Sequence, residues 1–418
     1  MTRDPGVRRV LVVADDLTGA SDTGVQFAGA GWSTVLRFGP GEPASAAPPG
    51  STVAVSADSR ALGADDALAA TAEAISTEAL DGTDRLYLKI DSTLRGSVPA
   101  QVAGALAVRR RTVPDAVVVL SPAYPAMGRT VQDGRLLVHG EPVSASPAGR
   151  DPVTPVRVDT VAEIVPGAVP VAVRPTAAAW ADALLAAGDQ GDVLAVDATT
   201  DDDLVRLAEA VDLLGARAVP AGSAGLAAPL AARWWGGDAP PQAAAPAVRR
   251  PLFLVSSHHA VARGQVAALA HDQADVTLVE TQVDALLGGQ ELDAPGSGSA
   301  VLLSPHGRAG VDVAPALAVA LAGHAARWLT APRDALDDRW FDAVVLVGGD
   351  GAEAFLRAVG AHGIEIHGRL AEGVPHGRIA GGPCDGLPVV TKAGGFGDDT
   401  TLTTVLRTLR SPIGSESR

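Results

Sequence analysis

The chain alternates short apolar runs with longer stretches of helical spacing, and the apolar runs end in polar residues. "RRVLVVADD" reads as a first strand that runs into two adjacent carboxylates, Asp15 and Asp16. "GASDTGVQFAGAG" then has the spacing of a helix, with Gly29 and Gly31 near its end. "STVLRF" and "STVAVSADSR" read as the next two strands, and "ADDALAATAEAIS" as a helix whose acidic first turn suits the helix dipole. "DRLYLKIDSTLRGS" is a strand followed by a polar turn, and "PDAVVVLSPAYPAMGRTV" a strand followed by a proline-punctuated loop. "GDVLAVDATTDDDLVRLAEAV" repeats strand, loop and helix, its Asp-rich stretch placed to start the helix. The pattern returns in "PLFLVSSHHAVARGQVAALA", in "FDAVVLVGGDGAEAFLRAVG" and in "LPVVTKAGGFGDDTTLTTVLRTL". Such alternation predicts an α/β fold with mostly parallel sheets flanked by helices. It also places the polar loops at the C-terminal ends of strands, the edge where open α/β sheets bind ligands.

Composition sharpens this picture. The "GGDAPPQAAAPAVRRP" stretch, residues 236–251, reads as a linker, which predicts domains over 1–235 and 252–418. A length of 418 residues is enough for two cores. Apolar residues make up 47% of the chain, which excludes a disordered protein, and aromatics only 3%, which favours packing through small aliphatics. The net charge of −15 argues against a nucleic-acid groove. The single cysteine, Cys384, rules out an internal disulfide framework and is expected to be a small buried thiol. No stretch is long and apolar enough to span a bilayer, and "MTRDPGVRR" lacks the apolar core of a leader, so the expected location is the cytoplasm.

Candidate chemistry falls into two styles. In the first half, "ADD", "ADSR" (Asp58, Arg60), "KIDSTLRG" (Lys89, Asp91, Ser92, Arg95) and "SPAYPAMGRT" (Tyr124, Gly128, Arg129, Thr130) bring carboxylates, hydroxyls and guanidiniums to strand ends. Arg grips a carboxylate through paired hydrogen bonds and Asp accepts from hydroxyls, so a small hydroxylated acid suits the set. Taken singly, each loop is as well explained by capping and ion pairing. The paired acids of the first strand could equally hold a metal, start a helix or grip hydroxyls. The second half carries two glycine-rich turns, Gly348, Gly349, Asp350 and Gly351, and then Lys392, Gly394 and Gly395. Glycines let backbone N–H groups approach phosphate, and the following helix N-terminus favours negative charge. Neither turn has the spacing of a Walker A or dinucleotide fingerprint. One alone reads equally well as a tight turn or a phosphate cradle; two in one domain favour a nucleotide.

At these residues the chain resembles the four-carbon acid sugar kinases, which phosphorylate acids such as threonate, erythronate or 3-oxo-tetronate with ATP. The resemblance runs nearly end to end and is carried by "ADDLTGA", "KIDSTLRG", "PAYPAMGRT", "GSAGLA" (Gly222 to Ala227) and "TKAGGFG". It implies an N-terminal acid-sugar domain, a C-terminal nucleotide domain, and an active-site cleft between them. It puts Asp15, Asp16, Arg60, Lys89, Asp91, Ser92 and Arg95 around the substrate, and Ser256, the Gly348–Gly351 turn, Lys392, Gly394 and Gly395 around ATP. On this reading Arg60 and Arg95 fix the substrate carboxylate. Asp16 and Asp91 align its hydroxyls, one of them accepting the proton, and Lys89 neutralises developing charge. Mg²⁺ arrives with the phosphates, mostly through water, without a protein cage. The expected partner is the small acid; no nucleic acid or membrane is implied, and homo-oligomerisation stays open.

Two departures fall in the nucleotide domain. Where the family reads V-S-G-S, this chain has "VSSHHAVARGQ": Ser256 and Gln265 match, Ser257 and His258 do not. Where the family has G-G-D-T, Gly351 replaces the hydroxyl. His258 and His259 offer new phosphate contacts, although a polar surface role is commoner for adjacent histidines. The departures motivate one rival, an acid-sugar-binding or regulatory protein with weakened or lost ATP binding. A second rival, a dehydrogenase or isomerase, lacks its G-x-G-x-x-G turn.

Overall fold

A computed structural model describes every residue except 1–6, 39–47, 79, 81–83, 152, 236–245, 306–312, 332–339 and 412–418. The chain divides into two compact units, residues 1–240 and 241–418. Most of the predicted linker lies outside the described residues, and its last residue, Pro251, already opens a strand.

The first unit runs β1 (Arg9–Ala14), α1 (Leu17–Ala30), β2 (Ser33–Phe38), β3 (Ser51–Ser56), α2 (Ala64–Ser76), β4 (Arg85–Lys89), α3 (Val98–Arg109) and β5 (Val117–Ser121). A small antiparallel sheet follows, of β6 (Arg129–Gln132), β7 (Arg135–Val138) and β8 (Glu141–Pro142). The unit closes with α4 (Val161–Ile164), β9 (Val169–Val171), α5 (Ala177–Gly188), β10 (Val193–Val196), α6 (Asp201–Leu214), β11 (Ala218–Gly222) and α7 (Ala224–Trp235). The main sheet has the order β2-β3-β1-β4-β11-β5-β10-β9, with parallel pairing throughout. Its central strands are covered on both faces, so β3 and β5 are buried at every position; that is why they read as continuous apolar runs. Phe27 of α1 packs edge-on against Trp32 and beside Trp234 of α7, and these rings fill one layer between helices and sheet. The Asp-rich stretch starts α6 as expected: Thr200 and Asp203 form a reciprocal capping box.

The second unit runs β12 (Pro251–Val255), α8 (Ala260–Asp272), β13 (Val276–Val279), α9 (Val283–Leu287), β14 (Ser299–Leu303), α10 (Ala314–Thr330), β15 (Ala343–Val347), α11 (Gly349–Ala358), β16 (Gly363–Ala371), β17 (Val374–Ala380), β18 (Pro388–Lys392) and α12 (Thr401–Arg410). Strands β13-β14-β12-β15-β18 are parallel, and β17 and β16 continue the order antiparallel. Its core joins Phe253, Val255, Leu269, Val301, Val345, Val347, Leu402 and Leu406. Cys384 is buried. Among the described residues no helix is long and apolar enough to cross a membrane.

Register then determines what can meet. In the first sheet Ala14 lies opposite both Ser56 and Lys89, and Gly222 opposite both Lys89 and Ser121. In the second, Val255 lies opposite Leu303 and Val347, and Val347 opposite Lys392. Neighbouring strands therefore end level, and the residues after each end share one sheet edge.

Candidate active site

The first unit gathers most of its predicted residues into one network of charges. Asp15 follows β1 and is buried, and its two carboxylate oxygens accept from Nε and Nη2 of Arg60 at 2.7 and 2.9 Å. Arg60 comes from the loop after β3, where Asp58 holds a left-handed φ of 47°. That loop is tied back by the amides of Ser59 and Arg60, which donate to the Asp15 carbonyl at 2.9 and 3.1 Å. Burial pushes the Asp15 carboxyl up, and the Arg60 charge opposes it.

Asp16 performs two tasks. One oxygen accepts from the Gly19 amide at 2.6 Å and so caps α1, and the other accepts from Nη1 of Arg60. Among the described residues no group of three or more His, Cys, Asp or Glu is placed to hold a metal ion. Gly19 has a reason to be glycine, since an added Cβ would sit 2.8 Å from Asp16 Oδ1 and 2.9 Å from Lys89 Nζ. Lys89 ends β4, is buried, and donates from Nζ to the Ile90 carbonyl at 2.9 Å. Its ammonium and the Asp16 carboxylate thus crowd the same point above the first turn of α1.

Asp91, two residues past the end of β4, is held more tightly still. Its Oδ1 accepts from the Thr93 amide at 3.0 Å, the Thr93 hydroxyl and Arg95 Nε at 3.0 Å, and its Oδ2 accepts from Arg95 Nη2 at 2.7 Å. Arg60 Nη2 stands 3.7 Å away. Burial alone would raise this carboxyl, but Arg95, Arg60 and the hydrogen bonds hold it well below the usual carboxylate range. The turn needs a left-handed Leu94, φ 59°, to bring Arg95 back over Asp91. Ser92 is half-buried on the same turn.

Two members of this network were not assigned from the sequence. Asp151 accepts from Arg95 Nη1 at 3.0 Å and from the amides of Val153 and Thr154. It lies in an unremarkable Pro-rich stretch, far along the chain from Arg95, with no local signal. Arg129, quoted in "PAYPAMGRT" without a role, opens β6 beside Asp91 and Arg95 and feels both of their charges. Its loop is closed by Tyr124, whose amide donates to the Arg129 carbonyl at 2.8 Å while the Arg129 amide donates back at 3.0 Å.

In the second unit the predicted residues also share a strand edge. Gly348 precedes α11 with φ 108°, and Gly349, Asp350 and Gly351 form the first turn of that helix. First-turn amides have no acceptor within their own helix, so they suit anionic oxygens. Ser256, just past β12, donates from Oγ to the Val347 carbonyl at 3.3 Å and packs onto this turn. A Cβ added at Gly348 would come 2.6 Å from Ser256 Oγ, and one at Gly351 would overlap Ser256 Cβ and Oγ. Ser256 fills the place where a residue 351 side chain would stand.

The second glycine turn is shaped in the same way. Ser257 Oγ occupies the space a Gly394 side chain would need, and the His259 ring lies 3.2 Å from an added Cβ at Gly395. His259 is committed to the helix, its Nδ1 accepting from the Val261 amide at 3.2 Å. His258 Nε2 lies 3.3 Å from Ser304 Oγ, with Arg263 alongside. Gln265 is fully buried and donates to the carbonyls of Phe396 and Asp398 at 2.9 and 2.7 Å, fastening the loop that follows. Lys392 ends β18, buried, and donates to the Ala393 carbonyl at 2.7 Å; burial lowers its ammonium to about 8.

Two family models match the chain. Residues 10–230 match the family described as a sugar-binding N-terminal domain, and residues 307–402 one described as a nucleotide-binding C-terminal domain. The chain is similar to a D-threonate kinase of Bordetella bronchiseptica, 41% identical over 96% of this chain and 97% of that protein. It is also similar to a D-threonate kinase of Salmonella typhimurium, 30% identical over 94% and 96%. A crystal structure from Bordetella bronchiseptica, a domain-swapped dimer of a domain of unknown function with bound citrate, is 39% identical over 97% and 98% of the two chains, with a TM-score of 0.51. The chain therefore belongs to the four-carbon acid sugar kinase family, and it is a phosphotransferase with an alcohol group as acceptor.

Proposed function

We propose that the protein transfers the terminal phosphoryl group of ATP to a hydroxyl of a four-carbon sugar acid, with D-threonate, the acid named in two relatives, as first candidate. The observation that carries this reading is the shared strand edge of the first unit. There Asp15, Asp16, Arg60, Lys89, Asp91, Ser92 and Arg95 converge, next to a helix N-terminus. The acceptor binds there and the nucleotide binds along Ser256, Gly348–Gly351, Lys392, Gly394 and Gly395.

Phosphoryl transfer asks for an oriented hydroxyl and for neutralised charge, and little else from the protein. Asp16 is the residue suited to receive the hydroxyl proton. Asp91 is a poor acceptor because its pKa is held low and its lone pairs are engaged, and Asp15 is sealed against Arg60. Asp16 is the most open of the three, its side chain 22% exposed against 9% for Asp91 and 0% for Asp15. Lys89, against the same point, stabilises negative charge as it develops. The first-turn amides of α11 hold phosphate oxygens. A magnesium ion bound with the triphosphate would supply further charge neutralisation; the exposed Asp350 in that first turn is the carboxylate best placed to hold its waters. ATP-dependent work of this kind belongs in the cytoplasm, and the dimeric relative makes a homo-oligomer a natural state to look for.

A coupled assay of ADP release across the threonate, erythronate and 3-oxo-tetronate isomers tests the reading, with turnover of at least one expected. Asp16→Asn then tests the base. Asparagine caps a helix about as well as aspartate, so folding survives. The turnover number should fall about 100- to 10,000-fold, the usual worth of a positioned base. Full retained turnover would remove Asp16 from that role.

A further inference from the structure

The acceptor site holds more guanidinium groups than its carboxylates engage. Arg60 gives all three of its nitrogens to Asp15 and Asp16. Arg95 gives Nε and Nη2 to Asp91 and Nη1 to Asp151. Both are already neutralised inside the protein, and pulling either onto a substrate would strand a buried aspartate. Lys89 is buried against the Ile90 carbonyl and the Asp16 side. Arg129 differs. Its Nη1 donates to the Met127 carbonyl, it forms no ion pair among the described residues, and its Nε is shut off from solvent with no acceptor. That leaves Nη2 as the nitrogen of Arg129 that is neither sealed nor committed to a protein acceptor.

From this geometry we infer that Arg129, not Arg60 or Arg95, is the anchor for the carboxylate of the sugar acid, received on its Nη2. The inference rests on the acid-sugar reading above and names the group that makes an acid preferable to a neutral polyol. A guanidinium N–H gives a carboxylate a charge-assisted hydrogen bond, and with Nη1 turned to Met127 and Nε closed off, Nη2 is the donor left over. The backbone is built to hold it there. Gly128 takes a left-handed φ of 75°, the paired Tyr124–Arg129 bonds close the turn, and Val131 bridges to Ala198 behind β10. Burial without a counter-ion weakens the hold of Arg129 on its proton, and an arriving carboxylate removes that penalty. The neighbouring Asp91 is no substitute acceptor, since Arg95 and Thr93 occupy it.

The test compares D-threonate with its primary amide, which keeps the shape and hydroxyls and loses the charge. Calorimetric binding without nucleotide and KM in the coupled assay are measured for the wild type, Arg129→Gln and Arg129→Lys. The expected result is a 30- to 300-fold rise in Kd and KM for the acid in Arg129→Gln, against less than threefold for the amide, with Arg129→Lys in between and nucleotide affinity unchanged. Equal losses for acid and amide, or no loss for the acid, would overturn the anchor. A wild type that neither binds nor turns over any four-carbon acid would instead sink the acid-sugar reading itself. If Arg129→Gln lowers the melting temperature, the acid-to-amide ratio in Arg129→Lys decides: a ratio like that of wild type or between the two supports the anchor, and a ratio near one with wild-type folding refutes it.

Discussion

The pairing of Asp15 with Arg60 shows how one buried contact can serve both stability and function. Asp15 is sealed and bidentate, so truncating its partner leaves a charge that cannot be solvated. Removing one member of a buried pair costs about 3–5 kcal/mol. Arg60→Ala should therefore lower the denaturant midpoint strongly, and adding Asp15→Asn should restore part of the loss, because a neutral amide tolerates the empty site. If Arg60→Ala unfolds like the wild type, the network is not holding the loop after β3. Lys392 allows a second test, through pH. Burial lowers its ammonium to about 8, so the charge is present below that pH and disappears above it. Phosphate nearby stabilises the charged form and raises its pKa in the complex, so the complex binds more protons than the free protein just above pH 8. ATP affinity should thus fall by up to about tenfold per pH unit from pH 8 upward, and the slope should vanish in Lys392→Met. A flat wild-type profile from pH 7.5 to 9.5 would place Lys392 away from the phosphates.

At the level of elements, the glycine turn before α11 couples two segments distant in sequence. Ser256 after β12 and Gly351 in α11 share one volume, and the overlap involves the Ser256 Cβ, which no rotamer can move. Gly351→Ala should cost about 1–3 kcal/mol, the usual price of overpacking, and weaken ATP binding at least tenfold. Ser256→Gly in the same chain should recover stability, and a double mutant no better than Gly351→Ala would show that the two do not share space. This coupling was invisible beforehand, because "VSSHH" and "GGDGA" lie nearly a hundred residues apart and only the level ending of β12 and β15 brings them together. What was legible follows from local rules. Apolar runs such as "VVVLS" and "AVVLV" mark strands buried on both faces, and "TTDDD" marks a capped helix start. The antiparallel β16–β17 pair escaped because "GIEIHGRLAEGVPHGRIA" mixes charges, glycines and apolar residues without a steady alternation, and its ladder carries register shifts near Gly368 and Ala371. The "PAYPAMGRTV" loop likewise hid a strand, because prolines in its first half masked the pairing of Arg129 and Val131. Site residues adjacent in sequence to a strand end, such as Asp15, Lys89 and Asp91, could be read directly. Asp151 could not, since its place is decided by Arg95 reaching across the fold.

For the molecule as a whole, the two units each carry their own run of strands and their own candidate ligand residues. A ligand stabilises only the states that retain its site, by RT ln(1 + [L]/Kd), about 2.7 kcal/mol at 100 times Kd. In the first unit the candidate site residues hang from the ends of β1, β3 and β4, so on the proposed reading any opening that separates those strands destroys acid binding. In the second they hang from β12, β15 and β18, and the same logic applies to the nucleotide. Hydrogen exchange should report this division. D-threonate near 100 times Kd should slow the amides of β1 and β4 about 100-fold while leaving β15 and β18 nearly unchanged, and a non-hydrolysable ATP analogue should do the reverse. The comparison separates a protein whose halves are stabilised independently from one that opens as a single cooperative body, because in the latter either ligand would slow both sets alike. Equal slowing by both ligands would therefore refute the independence of the two cores without touching the chemistry. Slowing of β15 and β18 by the acid alone would refute the assignment of the acid to the first unit.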